Sequence, residues 1–256
     1  MATVKDYLGT DAPAGHGKKL KRSILCGIEV ELEKVVVKEN FFPWNKIKDG
    51  SLKDEGAEFT LPVWNTSANH YLDLLFNSLS SKHCSARTSI HVHMNILDFT
   101  LEQVKTLILL YIIYEKALFQ FSGNRWDSNY CVPIRTYFRE NMNELGFGTL
   151  EPYFPKYAAM HLLTEQRFGT AEFRHMIGNH NSDYIVAWIN ILSELIEYAS
   201  QKPYDELVEQ IKDMRSDSSY WNLSKAIFTT TYQQLQYKDF QIDLEEGITL
   251  AKIVSL

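Results

Sequence analysis

Glu29, Glu31 and Glu33 alternate with Ile28, Val30 and Leu32 in the stretch Ile-Glu-Val-Glu-Leu-Glu. A strand has a period of two, so the three carboxylates share one face and the apolar residues take the other. Three like charges within roughly 7 Å along one strand cost free energy unless something neutralises them. Divalent cations with oxygen ligands are the natural partners. A solvated face of an antiparallel sheet also alternates polar and apolar. Such faces mix signs, however, and no Lys or Arg interleaves here.

Three further patterns carry the same period. Glu58 lies in the otherwise apolar run Ala57 to Leu61, either as a rim residue facing water or as a fourth carboxylate brought beside the first three by strand pairing. Four oxygen donors suit Mg²⁺ or Mn²⁺. His91 and His93 share a face with Asn95, and beside an acidic site they read as metal ligands or phosphate contacts. Glu172 and Arg174 also share a face. A surface salt bridge between them is worth little, whereas Glu172 on a metal and Arg174 on an anion make use of arginine's planar fork. One sheet face therefore gathers carboxylates, histidines and an arginine with no thiol, which suits metal-bridged phosphoryl chemistry.

The elements that must position these groups follow from periodicity. Ser23 to Val37, Ala57 to Leu61 (stopped by Pro62) and Arg87 to Asn95 read as strands. Tyr157 to Leu163 and Thr170 to Ile177 read as a hairpin. Ala68 to Lys82 has helical spacing at Tyr71, Leu72, Leu75, Phe76 and Leu79. Thr100 with Gln103 forms a capping box for a helix to about Phe121. Ser182 to Ser200, Tyr204 to Met214 and Tyr220 to Tyr232 are further helices, and the last 20 residues carry no clear pattern. Phe41 to Ser51 reads as a loop. Residues 1–22 read as a flexible arm. Its Ala12 to Lys19 segment is no phosphate loop, since the motif needs Gly in place of Ala12, Ser or Thr in place of Lys19, and a preceding strand. Residues 123–154 are irregular and carry Arg125, Arg135 and Arg139, the composition of a lid. The order is not a regular βαβ alternation. It fits an α+β domain with a mainly antiparallel sheet and helices on one face, residues 23–200 forming the catalytic part and 201–256 a helical extension of it.

The chain has 256 residues, 45% apolar and 23% charged, with net charge −6. That is enough for a sizeable core and does not favour bulk binding to nucleic acid or an anionic membrane. Cys26, Cys84 and Cys131 are too few and too widely spaced for a disulfide framework or thiolate zinc site. Reduced thiols fit a cytoplasm, with Cys26 in the core. No secretory leader is visible. The apolar run Leu107 to Ile113 is far short of the ~20 residues that span a bilayer and reads as a buried helix.

Taken in order, Gly27-Ile-Glu29-Val-Glu31, Asp49-x-Ser51 with Gly56-x-Glu58, His91-Val-His93, Lys156-Tyr157 and Gly169-Thr-x-Glu172-Phe-Arg174 resemble the amidoligases of phages and bacteria. These are carboxylate–amine ligases related to glutamine synthetase and glutamate–cysteine ligase. The resemblance covers about residues 24–195. It implies a curved antiparallel sheet, like the glutamine synthetase catalytic domain, whose concave face holds ATP and Mg²⁺ or Mn²⁺ ions. By that analogy Glu29, Glu31 and Glu58 are metal ligands, and His91 and Glu172 complete a second metal position. His93, Arg174, Lys156 and Arg167 bind the nucleotide, and Arg174, His93 and Glu58 carry the catalysis. Glu33 has no counterpart. The substrates implied are a small-molecule or peptide carboxylate and an amine donor, in a cytoplasm (the host's if the chain is phage-encoded) and with an oligomer open. Thr88-Ser89 stand where Gly often precedes the His pair, His161 stands where Asn is common, and Gly178-Asn179 replace Gly-Thr. The competing expectations are a metal-dependent phosphohydrolase or nuclease, a non-catalytic relative of the ligase fold, and a nucleic-acid modifier that the acidic charge does not favour.

Overall fold

The structure, a computed structural model, describes residues 3–8, 24–136, 157–162, 169–214 and 217–255. Seven strands form one sheet: β1 (Leu25–Val37), β2 (Asn45–Ile47), β3 (Ala57–Trp64), β4 (Leu79–His83), β5 (Ser89–Asn95), β6 (Met160–Leu162) and β7 (Thr170–Ile177). Their order is β2-β3-β1-β5-β7-β6, with β4 on the far half of β1, and every pairing is antiparallel. The helices are α1 (Val4–Leu8), α2 (Ala68–Ser78), α3 (Leu101–Ser122), α4 (Ser182–Gln201), α5 (Tyr204–Asp213), α6 (Asp217–Ile227) and α7 (Phe240–Val254). A 3₁₀ turn spans Tyr232–Leu235. This is an α+β fold with a mainly antiparallel open sheet.

The alternation of β1 decides which face the core takes. Ile28, Val30 and Leu32, with Phe59, Ile90, Val92, Met94 and Phe173 of the neighbouring strands, are fully buried. Against this apolar side α3 packs on β7 and α4 on β5. The opposite side keeps the acids and histidines. The centre of α3 is hydrophobic nearly all round, because it also packs against α4, α5 and α7. Its start is fixed by the reciprocal Thr100–Gln103 capping box and its end by Gly123, whose left-handed φ of 106° lets its N–H reach the Phe119 carbonyl. No helix among the described residues is long and apolar enough to cross a membrane.

Several expectations are corrected. β3 does not stop at Pro62 but continues to Trp64. β2 ends opposite Thr60, so Pro62 occupies an edge where the missing N–H is tolerated. β2 itself lies in what reads as loop. The helix from Ala68 ends at Ser78, and Leu79–His83 becomes β4, pairing with the tail of β1 past a bulge at Lys34, where φ is 52°. The arm begins docked: Val4 is buried and donates to the Phe99 carbonyl. Its Ala12 to Lys19 segment lies outside the described residues. The last residues form α7, whose Gly247 sits where a Cβ would fall 2.5 Å from the Ile113 carbonyl and 2.2 Å from Arg135. That glycine interrupts the helical pattern while allowing the close approach to α3.

The lid reading of 123–154 also changes. Cys131, Ile134 and Arg135 are buried. Glu115 of α3 accepts the Ile134 and Arg135 backbone N–H groups. Arg135 donates to the carbonyls of Ile112, Ile113 and Asp243. Residues 123–136 are thus stapled into the body of the fold. Arg139 and the remainder of the segment lie outside the described residues. The cysteines are free, and burial pushes the Cys26 thiol up to about 12, which makes it a core residue.

Candidate functional site

Strand register brings the singled-out residues together. Glu31 stands opposite Glu58, Glu29 opposite His91, Gly27 opposite His93, and His93 opposite Glu172. Directly opposed residues share a face, so Glu58, Glu31, Glu29, His91, His93 and Glu172 form one row across four strands. Gly27 leaves room for the His93 ring, since a Cβ there would lie 3.3 Å from the His93 Cβ. Arg174 ends the row, its guanidinium on the Glu172 carboxylate. Lys156 and Arg167 lie outside the described residues.

Among the described residues, two groups offer three ligand atoms all within 4.8 Å of one another: Glu29, His93 and Glu172, and Glu31, Asp49 and Glu58. The grouping differs from the expected one. Glu29 turns toward the histidine side, and its place beside Glu31 and Glu58 is taken by Asp49. Sequence reasoning noted Asp49 only as part of a motif. It sits in the tight turn after β2, where its side chain accepts the Ser51 N–H at 2.7 Å. The signal available was Asp-Gly-Ser, a turn signature that also suits a ligand held on a short hairpin.

His91 lies between the two groups. Its Nδ1 is 3.0 Å from Glu29 and 3.5 Å from Glu172, and its Nε2 is 4.0 Å from Glu31. Ser89 sets this arrangement. Its backbone N–H and hydroxyl reach the same oxygen of Glu31, at 2.8 and 2.6 Å, and its Oγ is 2.9 Å from His91 Nε2. With the single hydroxyl proton given to Glu31, Oγ accepts from Nε2–H. Ser89 is thus the positioning residue that sequence reasoning recorded only as a departure from a glycine. His161 stands opposite Glu172 on β6, at the edge of the same row.

The electrostatics fit cation binding. Burial and the charges of Glu29 and Glu31 push the Glu58 carboxyl up to about 7. Burial also works against ionised Glu29, but the hydrogen bond from His91 and the charge of both rings outweigh it and hold that carboxyl well below the usual range. For His93, burial opposes protonation, yet contact with Glu29 and the charge of Glu172 raise the ring's pKa overall. His93 Nε2 lies 2.8 Å from Glu29 without the direction of a hydrogen bond. We read the contact as ionic, so a metal at this nitrogen must displace its proton. The Glu31, Asp49 and Glu58 group is all oxygen and suits Mg²⁺. The Glu29, His93 and Glu172 group mixes nitrogen and oxygen and accepts Mn²⁺ as readily.

Glu33 is separate. It is 1% exposed and is held by the Lys53 backbone N–H and by two nitrogens of Arg87. These partners, the backbone bond first, lower its pKa to about 2. Its negative charge is therefore already matched, and it braces the turn before β3.

Cation binding at this site should release protons. Mg²⁺ must displace the proton that Glu58 carries below about pH 7. The rise in melting temperature on adding Mg²⁺ is therefore expected to be larger at pH 8 than at pH 6, as differential scanning fluorimetry in paired buffers will show.

No protein-family model matches the chain and no curated protein matches it in sequence. The functional reading therefore rests on these residues and their geometry.

Proposed function

We propose that the chain is an ATP-dependent carboxylate–amine ligase that forms an amide or isopeptide bond through an acyl phosphate, on a sheet of the glutamine synthetase catalytic type. The observation that carries this reading is the pair of three-ligand groups side by side on one sheet face, with His91 between them and Arg174 at the end. Five carboxylates there face one guanidinium, a balance suited to cations bridging a polyphosphate rather than to binding a bare anion.

Glu31, Asp49 and Glu58, and Glu29, His93 and Glu172, would each hold a divalent cation, which would supply charge neutralisation for the triphosphate. Arg174, now on the Glu172 carboxylate, would offset charge on the phosphoryl group in transfer. A substrate carboxylate oxygen attacks the γ-phosphorus, and the bond to the bridging oxygen breaks to release ADP. An amine, as the free base, then attacks the acyl carbon. The C–O bond to phosphate breaks, and the nitrogen loses a proton as the amide forms. His91, held by Ser89 and Glu29, keeps the two ligand groups at a fixed separation. Water must be excluded at the anhydride stage.

The test is an ADP-release screen over pairs of carboxylates and amines with Mg²⁺ present. Ligation requires ADP to appear in proportion to amide and only when both partners are supplied. Phosphate release from a phosphomonoester, or cleavage of nucleic acid into shorter strands, without ATP would establish the hydrolase or nuclease reading instead.

A further inference from the structure

On the helical side of the sheet, away from the acidic row, α6 and the Tyr232–Leu235 turn form a shallow depression that opens broadly to solvent. The lining is Trp221, Asn222, Lys225, Tyr232, Gln233 and Gln236. Among the described residues it combines two aromatic rings, three carboxamides and one ammonium, with no carboxylate.

The depression is built on a fixed frame. Trp221 backs onto Phe240 of α7 at 5.4 Å between ring centroids. Glu194 of α4 accepts the hydroxyls of Thr229, Thr230 and Thr231 and two of their backbone N–H groups, at 2.6–3.2 Å, and so holds the approach to Tyr232. Trp221 and Tyr232 meet nearly perpendicular, at 84° and 6.0 Å. Lys225 lies 5.7 Å from the centre of the Tyr232 ring.

These features select among ligands. A sugar ring has one face of C–H groups that packs on a single aromatic wall, and hydroxyls that both donate and accept. Carboxamides match hydroxyls in both roles. Lys225 adds a partner for an anionic substituent.

We propose that this depression binds an acidic saccharide, a pyranose carrying a carboxylate, with its apolar face on the aromatic corner, its hydroxyls on Asn222, Gln233 and Gln236, and its carboxylate on Lys225. The site is independent of the ligase reading, because binding there needs neither ATP nor a cation. Calorimetric titration of the full chain with a glucuronate-containing tetrasaccharide tests it, with cellotetraose and AMP as comparators. Saturable binding of the acidic probe is expected, roughly two- to fivefold tighter than that of the neutral one. Lys225→Glu should remove that preference, and Gln233→Ala should weaken both saccharides. Both residues are exposed, so the variants keep the fold. No saturable saccharide binding, stronger binding of AMP, or an unchanged preference in Lys225→Glu overturns the proposal.

Discussion

Glu58→Gln is expected to abolish ADP release while making the metal-free protein more stable at pH 8. The substitution replaces one of the three carboxylates of the Glu31, Asp49 and Glu58 group by a neutral, weaker-donating carboxamide and leaves the side chain nearly isosteric. The stability effect follows from proton linkage. In the folded chain Glu58 titrates at about 7, against an ordinary value of 4.5. The folded pKa is raised, so the group's contribution to stability is complete below about pH 4.5 and is lost as pH rises through about 7. Glutamine carries no charge to repel Glu29 and Glu31. The variant should therefore gain on the order of 1 kcal/mol at pH 8, a figure reduced because solvent screens this half-exposed group, and the gain should vanish near pH 5. Urea denaturation at the two pH values measures it. Loss of activity together with lower stability at pH 8 would mark Glu58 as a packing residue. Glu33→Gln is the control, because Glu33 is neutralised by Arg87 and should leave the response to cations unchanged.

The second large effect lies in the core. Arg135→Ala should cost about 3–5 kcal/mol, enough to threaten folding. The guanidinium is 1% exposed and serves the carbonyls of Ile112, Ile113 and Asp243, which join α3 to α7. Its removal takes from those carbonyls their contact across the two helices and leaves Glu115 buried without its cationic neighbour. Burial already pushes the Glu115 carboxyl up to about 7, against the pull of Arg135 and the Ile134 N–H. Arg135→Lys should rescue little, because one ammonium cannot span the geometry of the fork. The double variant Glu115→Gln with Arg135→Met should recover part of the loss, since a paired buried charge can be exchanged for neutral groups at small cost. Thermal melts of the four proteins give the comparison. A cost below about 1 kcal/mol for Arg135→Ala would remove the staple from this account.

Both predictions depend on features that differ in how far the sequence exposed them. The acidic row was legible because its information is local. A period of two in β1, β5 and β7 fixes which residues share a face, and the hairpin order brings those faces together. The capping box of α3 was legible for the same reason, a four-residue pattern with one geometric meaning. Asp49 was not, because a turn residue has no period, and only the β2–β3 pairing shows that it reaches Glu31. The regrouping of ligands was likewise hidden. Whether Glu29 turns toward His93 or toward Glu58 depends on side-chain contacts across strands. Arg135 misled for a physical reason too. Long cationic side chains in an irregular stretch usually lie at the surface, and the buried carboxylate that accepts its backbone N–H sits 20 residues earlier in α3. Leu79–His83 continued a helical pattern, but the tail of β1 needed a partner and took it as β4.

Mn²⁺ stoichiometry tests the central claim most directly, without knowledge of either substrate. Titrating the metal-free chain with Mn²⁺, and following the free ion by electron paramagnetic resonance, should show two saturable sites per chain. Glu58→Gln should lose one site and Glu172→Gln the other, while Glu33→Gln keeps both. Absence of saturable binding, or two sites retained in both single variants, would contradict the assignment of the acidic row as a two-cation site.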